Sequence, residues 1–201
     1  PTADSPTKVI DTIATGLEAP WGIAFLPDGS ALVTERDSGR ILQVDDQRTR
    51  EVGTVEATRA QGEAGLLGIA VSPDFETNQR IFTYVTTDAD NRVLSMTFDG
   101  QRIDEPKPIL TGIPKGFIHD GGRLEFGTDG GLYVSTGETG EMELAQDRDS
   151  LAGKILKITE DGKPFSGDDP VFSLGHRNVQ GLAFDDRDRL WASEFGNQTW
   201  D

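Results

Sequence analysis

The sequence predicts an all-β protein, a β-propeller of four-stranded blades, on three observations. One hairpin-like unit recurs four times at similar spacing. Gly and Pro make up 24 and 10 of the 201 residues, too many turn formers for a helical bundle. No window of about a dozen residues carries a helical stripe of apolar side chains.

The recurring unit is a short apolar run, a turn rich in Asp and Gly, and a second apolar run. It occupies Trp21–Arg36, Leu67–Val85, Gly122–Glu138 and Gln180–Glu194. Aligned before the first apolar pair, the units start at Gly22, Gly68, Arg123 and Gly181, which lie 46, 55 and 58 residues apart. Such periods suit propeller blades of four strands. In the first unit Ile23-Ala24-Phe25 and Ala31-Leu32-Val33 flank Pro27-Asp28-Gly29. Asp-Gly supplies the positive φ of a tight hairpin turn, and it recurs at Asp99-Gly100, Asp129-Gly130 and Asp161-Gly162. Further strands are predicted at Ile41–Val44, Val93–Phe98 and Lys154–Ile158. A β-sandwich of short strands would not repeat a hairpin at this spacing. Three full units and the inner half of a fourth would leave a propeller with unpaired edges, so either the chain is a fragment of a longer one, the favoured reading, or another chain completes the ring. Residues 1–8 read as a flexible lead-in, and residues 9–201 as a partial propeller domain.

Composition narrows the function. The 19 Lys+Arg against 35 Asp+Glu leave a net charge of −16, which argues against nucleic acid or an anionic membrane surface as a partner. Apolar runs such as Leu66–Val71 are far too short for a membrane span. With no cysteine there is no disulfide framework, thiolate metal site or Cys nucleophile. The small, polar start Pro1–Lys8 is what a secreted or periplasmic protein shows after signal removal.

Most catalytic signatures are missing: no P-loop, no GxGxxG after a strand, no HExxH, no GxSxG and no EF-hand loop. Asp185-Asp186-Arg187-Asp188 lacks the glycine of a calcium loop and reads as a solvated turn. More telling is placement. Glu63, His119 and His176 each stand just before the first strand of a unit, the second, third and fourth respectively. Loops leading into successive inner strands open onto one end of a propeller's central channel, so these segments are expected to converge on one pocket. For His119 alone, a structural and a catalytic role both remain open.

The strings GLEAPWGIAFLPDG, GLLGIAVSPDF, HDGGRLEFGTDGGLYVSTGE, DSLAGKILKI and LGHRNVQGLAF resemble the glucose/sorbosone dehydrogenase family of soluble PQQ-dependent aldose sugar dehydrogenases. The likeness runs from about Val9 to Asp201. It implies a six-bladed propeller that holds pyrroloquinoline quinone (PQQ) and calcium and oxidises aldose sugars to lactones. Of those six blades the chain would cover about three and a half, since family chains continue well past the point matching Asp201. His119 falls on the family's general base and also lies against the cofactor. A neutral imidazole suits proton removal near neutral pH. Glu138 matches the carboxylate that orients this histidine, and Arg177 and Asn178 match a pair contacting PQQ. Glu63 stands at a further cofactor contact, where the family's glucose dehydrogenases carry glutamine. Gly196 and Asn197 fall on main-chain calcium ligands, while His176 is expected to shape its loop. Electrons would leave to an external acceptor, because no haem-attachment CxxCH is present. The alternatives are a non-catalytic propeller interaction module and, behind it, a calcium-dependent propeller lactonase.

Overall fold

The computed structural model describes residue 9, residues 11–46 and residues 48–197; the expected lead-in over residues 1–8 lies outside them. The first antiparallel sheet is β1 (Pro20–Phe25), β2 (Ala31–Glu35), β3 (Arg40–Val44) and β4 (Thr49–Thr54), in that order. The second is β5 (Leu66–Val71), β6 (Arg80–Thr86), β7 (Asn91–Thr97) and β8 (Lys107–Ile113). A third holds β9 (Leu124–Phe126), β10 (Leu132–Ser135), β11 (Lys154–Ile158) and β12 (Val171–Leu174). The last two strands, β13 (Val179–Phe184) and β14 (Leu190–Glu194), pair with each other.

The four repeated units are the opening hairpins of these sheets. Their registers are equivalent: Ile23 faces Val33, Ile69 faces Thr83, Leu124 faces Val134 and Leu182 faces Ala192. The glycines of the four Asp-Gly turns all take left-handed φ, 86° at Gly29 and Gly100, 81° at Gly130 and 79° at Gly162. The strands predicted at Ile41–Val44, Val93–Phe98 and Lys154–Ile158 are β3, β7 and β11. Among the described residues helix is confined to single turns at Phe75–Asn78 and Met142–Ala145.

Strand alternation explains how the sheets stack. Successive side chains on a strand point to opposite faces, so a sheet between two neighbours must be apolar on both. In β6, Ile81 joins a core with Leu32 and Ile41 of the first sheet. Its neighbour Phe82 joins a core with Leu124, Leu132 and Leu156 of the third. In β10, Leu132 and Val134 face that second core while Tyr133 turns to Val179 and Leu182 of the fourth pair. Each sheet therefore packs face to face on the next, giving a propeller-like all-β fold.

Close approach of the inner strands is built into small residues. A Cβ on Gly68 would lie 2.1 Å from the Gly122 carbonyl oxygen, so only glycine fits where β5 meets the start of β9. Hydroxyls stitch the same seam. Thr34 Oγ1 accepts from the Gly22 N–H (2.8 Å) and donates to the Leu67 carbonyl (2.5 Å). Ser135 repeats the device between the Arg123 N–H (2.8 Å) and the Val179 carbonyl (2.7 Å). Further out, Arg80 of β6 donates to Glu160 Oε2 (2.9 Å) and to its carbonyl (2.6 Å), tying the second sheet to the third.

At the end of β2, Glu35 is fully buried and accepts from the Glu18 N–H (2.7 Å), Ser38 Oγ (2.9 Å) and Arg40 Nε (2.8 Å). Burial pushes its carboxyl up, but these donors outweigh burial and hold it below the ordinary value of 4.5. A carboxyl depressed on folding stabilises the protein above its unfolded value and loses that contribution as pH falls through the folded value. Urea unfolding of the Glu35→Gln variant is therefore expected to show a shallower loss of stability below about pH 4.5 than the parent. Identical acid limbs would contradict this.

Candidate active site

His119 lies in the loop joining β8 to β9 with φ of 59°, a left-handed conformation that a histidine holds only when its surroundings enforce it. The loop is tied on every side. Tyr84 Oη donates to the Asp120 carbonyl (2.9 Å), and Asp120 Oδ1 accepts from Asn91 Nδ2 (2.8 Å) and the Gly116 N–H (3.0 Å). The Gly121 N–H donates to Asn178 Oδ1 (3.0 Å), and the His119 N–H donates to Glu63 Oε2 (2.7 Å). Burial pushes the Asp120 carboxyl up, against the donors that oppose the shift.

The ring of His119 is buried, and its Nδ1 meets Glu138 Oε1. Paired with an ionised carboxylate, which only accepts, a neutral imidazole would carry its proton on Nδ1 and keep the lone pair on Nε2. Among the described residues nothing donates to or accepts from Nε2. Glu138 is itself buried, and its N–H donates to the Arg177 carbonyl (2.8 Å). An imidazole with one bare nitrogen and a carboxylate behind the other is an arrangement able to remove a proton and to stabilise the cation so formed.

Glu63 ties this pair to the fourth unit. Its Oε2 accepts from Asn178 Nδ2 (3.2 Å) as well as from His119. Glu63, His119 and Asn178, each from the loop leading into a different unit, therefore meet at one point. Arg177 stands beside them, with its N–H on Glu194 Oε1 and its Nη1 donating to the Phe195 carbonyl (2.9 Å). His176 shapes its loop, while Asn178 of the same segment reaches the meeting point. Its Nδ1 faces Glu194 Oε2 (3.1 Å) and its Nε2 faces Ser173 Oγ (2.8 Å), so both nitrogens are taken within its own surroundings. Gly196 and Asn197 follow Phe195, whose N–H donates to the Asn178 carbonyl (3.1 Å). Among the described residues no group of three or more His, Cys, Asp or Glu could hold a metal ion, so a cation at Gly196 and Asn197 would rely on carbonyl oxygens.

Three contributors were not singled out from the sequence. Glu194 ends β14 as Glu35 ends β2, and each accepts the main-chain N–H two residues before the first strand of its unit. The repeat itself was the available signal. Lys154 is fully buried, with Nζ donating to the carbonyls of Leu144 (2.8 Å), Ala145 (3.1 Å) and Ala152 (2.6 Å). The Ala145 carbonyl also accepts the Gly175 N–H (2.9 Å), so this cation braces the loop carrying Arg177 and Asn178. Arg123 crosses between sheets, its guanidinium 4.4 Å over the Trp21 ring and its Nε donating to the Gln180 carbonyl (2.8 Å).

Comparisons with known proteins cover most of the chain. A profile of the family described as Glucose / Sorbosone dehydrogenase matches residues 17–201. The solved PQQ-bound form of an aldose sugar dehydrogenase from Streptomyces coelicolor superposes with a TM-score of 0.93 at 50% identity, covering 96% of this chain and 61% of that one. Quinoprotein glucose dehydrogenase B of Acinetobacter calcoaceticus is 29% identical over 231 residues, 92% of this chain and 47% of that protein. Aldose sugar dehydrogenase YliI of Escherichia coli is 28% identical over 212 residues, 94% of this chain and 57% of that protein. The chain thus spans about half to three fifths of the relatives it matches.

Proposed function

The chain belongs to the glucose/sorbosone dehydrogenase family, and we propose that it forms the proton-accepting part of a PQQ- and calcium-dependent aldose dehydrogenase. The observation that carries this reading is the His119–Glu138 pair, held where loops leading into three successive units meet. We place the chain, over residues 9–201, in the first three and a half blades of a six-bladed propeller. The whole protein acts outside the cytoplasm and passes electrons to an external acceptor.

The residues present fit the cofactor. Arg177 uses one guanidinium nitrogen on Phe195 and keeps others for an anionic group; Asn178 keeps a second amide hydrogen. Glu138 Oε2 and Asp120 Oδ2 are buried without a protein partner, a polar cost that is unusual for native side chains and that falls beside His119. Glu63 brings a carboxylate toward an anionic cofactor, and its Oε2 already takes two donors, the His119 N–H and Asn178 Nδ2. Arg177, Asn178 and Glu63 would hold PQQ beside His119, and the carbonyls of Gly196 and Asn197 would hold calcium.

When bound, PQQ with its calcium supplies the acceptor for the hydride that leaves the anomeric carbon of the sugar. His119 Nε2 takes the proton of the hydroxyl on that carbon, so the aldose loses a hydride and a proton and leaves as the lactone. Glu138 fixes the ring through Nδ1 and stabilises the imidazolium. Burial of the pair keeps bulk water from competing for the proton.

The test is reconstitution of the complete protein with PQQ and calcium, followed by quinone absorbance as glucose or another aldose is added. Bleaching that a chelator abolishes is the expected result. Cofactor that binds but is bleached by no aldose would remove the sugar reading. Failure to bind PQQ would remove the cofactor reading as well.

A further inference from the structure

Lys154 is a fully buried cation that the proposed chemistry does not use. All three hydrogens of its ammonium go to main-chain carbonyls, those of Leu144, Ala145 and Ala152, so none is left for a carboxylate. We propose that Lys154 is a positioning residue for the cofactor, which sets Arg177 and Asn178 in place for PQQ before PQQ arrives. The inference rests on the PQQ reading of the site and adds to it a residue that never touches the ligand.

Connectivity is the first argument. Between β10 and β11 the chain leaves the sheet, makes the single turn Met142–Ala145 and returns at Lys154. Nζ ties that turn to the returning chain at Ala152. The tied segment then carries the loop before β13. The Ala145 carbonyl accepts the Gly175 N–H (2.9 Å) as well as Nζ, and the Gly153 carbonyl accepts the His176 N–H (3.1 Å). Arg177 and Asn178 come next in the chain. On their other side the Arg177 carbonyl accepts from Glu138, and Asn178 bridges to Gly137, whose carbonyl accepts the Gly153 N–H (2.9 Å). Both proposed cofactor contacts therefore hang from main chain that rests on Lys154.

Energetics is the second argument. Burial pushes the Lys154 ammonium down, against the Asp147 carboxylate that opposes the shift. An apolar side chain of the same length would avoid that cost but leave its three carbonyls without their shared donor. The loop relieves such a loss by opening, and an opened loop frees Gly175, His176 and the arm beyond them. A site in its competent form only part of the time binds with an affinity lowered by that fraction. The effect therefore falls on PQQ binding more than on the proton step. The His119 loop has its own ties, to Glu63, Asn91 and Tyr84.

The test uses the complete protein and its Lys154→Met variant. PQQ is titrated into each with excess calcium, and turnover of glucose is measured at saturating PQQ. Lys154→Met is expected to raise the PQQ Kd about tenfold and to change kcat less than about threefold. In an Arg177→Ala background the same substitution should raise Kd only about threefold, because the arm it positions has already lost its guanidinium. A tenfold rise in both backgrounds, or no rise in the parent, would overturn the assignment. Amide hydrogen exchange of the apo proteins reads the arm without the cofactor. Residues 173–180 should exchange about tenfold faster in Lys154→Met, with residues 66–86 of the second sheet unchanged. Equal acceleration of both segments would mean general destabilisation and would overturn the assignment as well. If the parent binds no PQQ, the cofactor reading has failed, and exchange decides the brace separately. Acceleration confined to residues 173–180 would support it, and none would overturn it. Lys154→Gln, which loses the charge but keeps a donor, carries the same measurements if Lys154→Met does not fold.

Discussion

Replacing His119 with glutamine is expected to cut turnover by roughly 10²–10⁴-fold while PQQ still binds, the usual worth of a general base. Glutamine is close in length, and its amide can still donate to Glu138, so the loop keeps most of its ties. The Glu63, Asn91 and Asn178 bonds reach the main chain or Asp120 and do not involve the imidazole. What disappears is the lone pair of Nε2. Steady-state kinetics beside a PQQ titration separates these effects. Unchanged turnover would take the base role from His119, and loss of PQQ binding together with turnover would reassign it to the cofactor's seat.

Gly137→Ala is expected to damage both the fold and the site, because of where the new methyl group must go. A Cβ on Gly137 would lie 1.8 Å from the His119 carbonyl oxygen and 2.3 Å from its carbonyl carbon. Both are main chain and cannot rotate aside. Gly137 also pairs with Asn178 in an isolated bridge, so the collision falls between two of the converging loops. Overpacking of this kind costs about 1–3 kcal/mol, and moving a reacting group by about 1 Å can cost on the order of 10²-fold in rate. Urea unfolding should record the first loss and turnover per bound PQQ the second. A variant as stable and as active as the parent would contradict the tight contact.

The parts of the fold that were legible are those with strong local constraints. Asp-Gly turns demand left-handed backbone, and Gly29, Gly100, Gly130 and Gly162 all take it. Strands such as β6 are apolar on both faces because cores lie on both sides, so they stand out as continuous runs. The outer strands β4, β8 and β12 carry no such signal. Thr49–Thr54, for example, has only Val52 buried, and polar residues alternate with it. In the site, the repeat marked Glu63, His119 and His176 as heads of loops that open together; in the fourth unit it is Asn178, two residues beyond His176, that meets Glu63. The supporting shell was not legible. Asp120 is held by Asn91 from a strand twenty-nine residues away and by a main-chain N–H of Gly116. Lys154 sits in a cage of three carbonyls, and carbonyls leave no trace in a sequence. Glu194 was hidden for a different reason: the repeat that marks it became readable only once Glu35 was seen doing the same work.

Proton removal in this site depends on one atom, Nε2 of His119, being unprotonated. The chain has two histidines, so long-range ¹H–¹⁵N NMR of the imidazole nitrogens can be assigned with the His119→Gln variant alone. In the neutral state His119 is predicted to be the Nδ1–H tautomer, its proton on the Glu138 side and its Nε2 resonating as an unprotonated, accepting nitrogen. An Nε2–H tautomer would leave no base facing the sugar and would contradict the assignment of His119 as the proton acceptor.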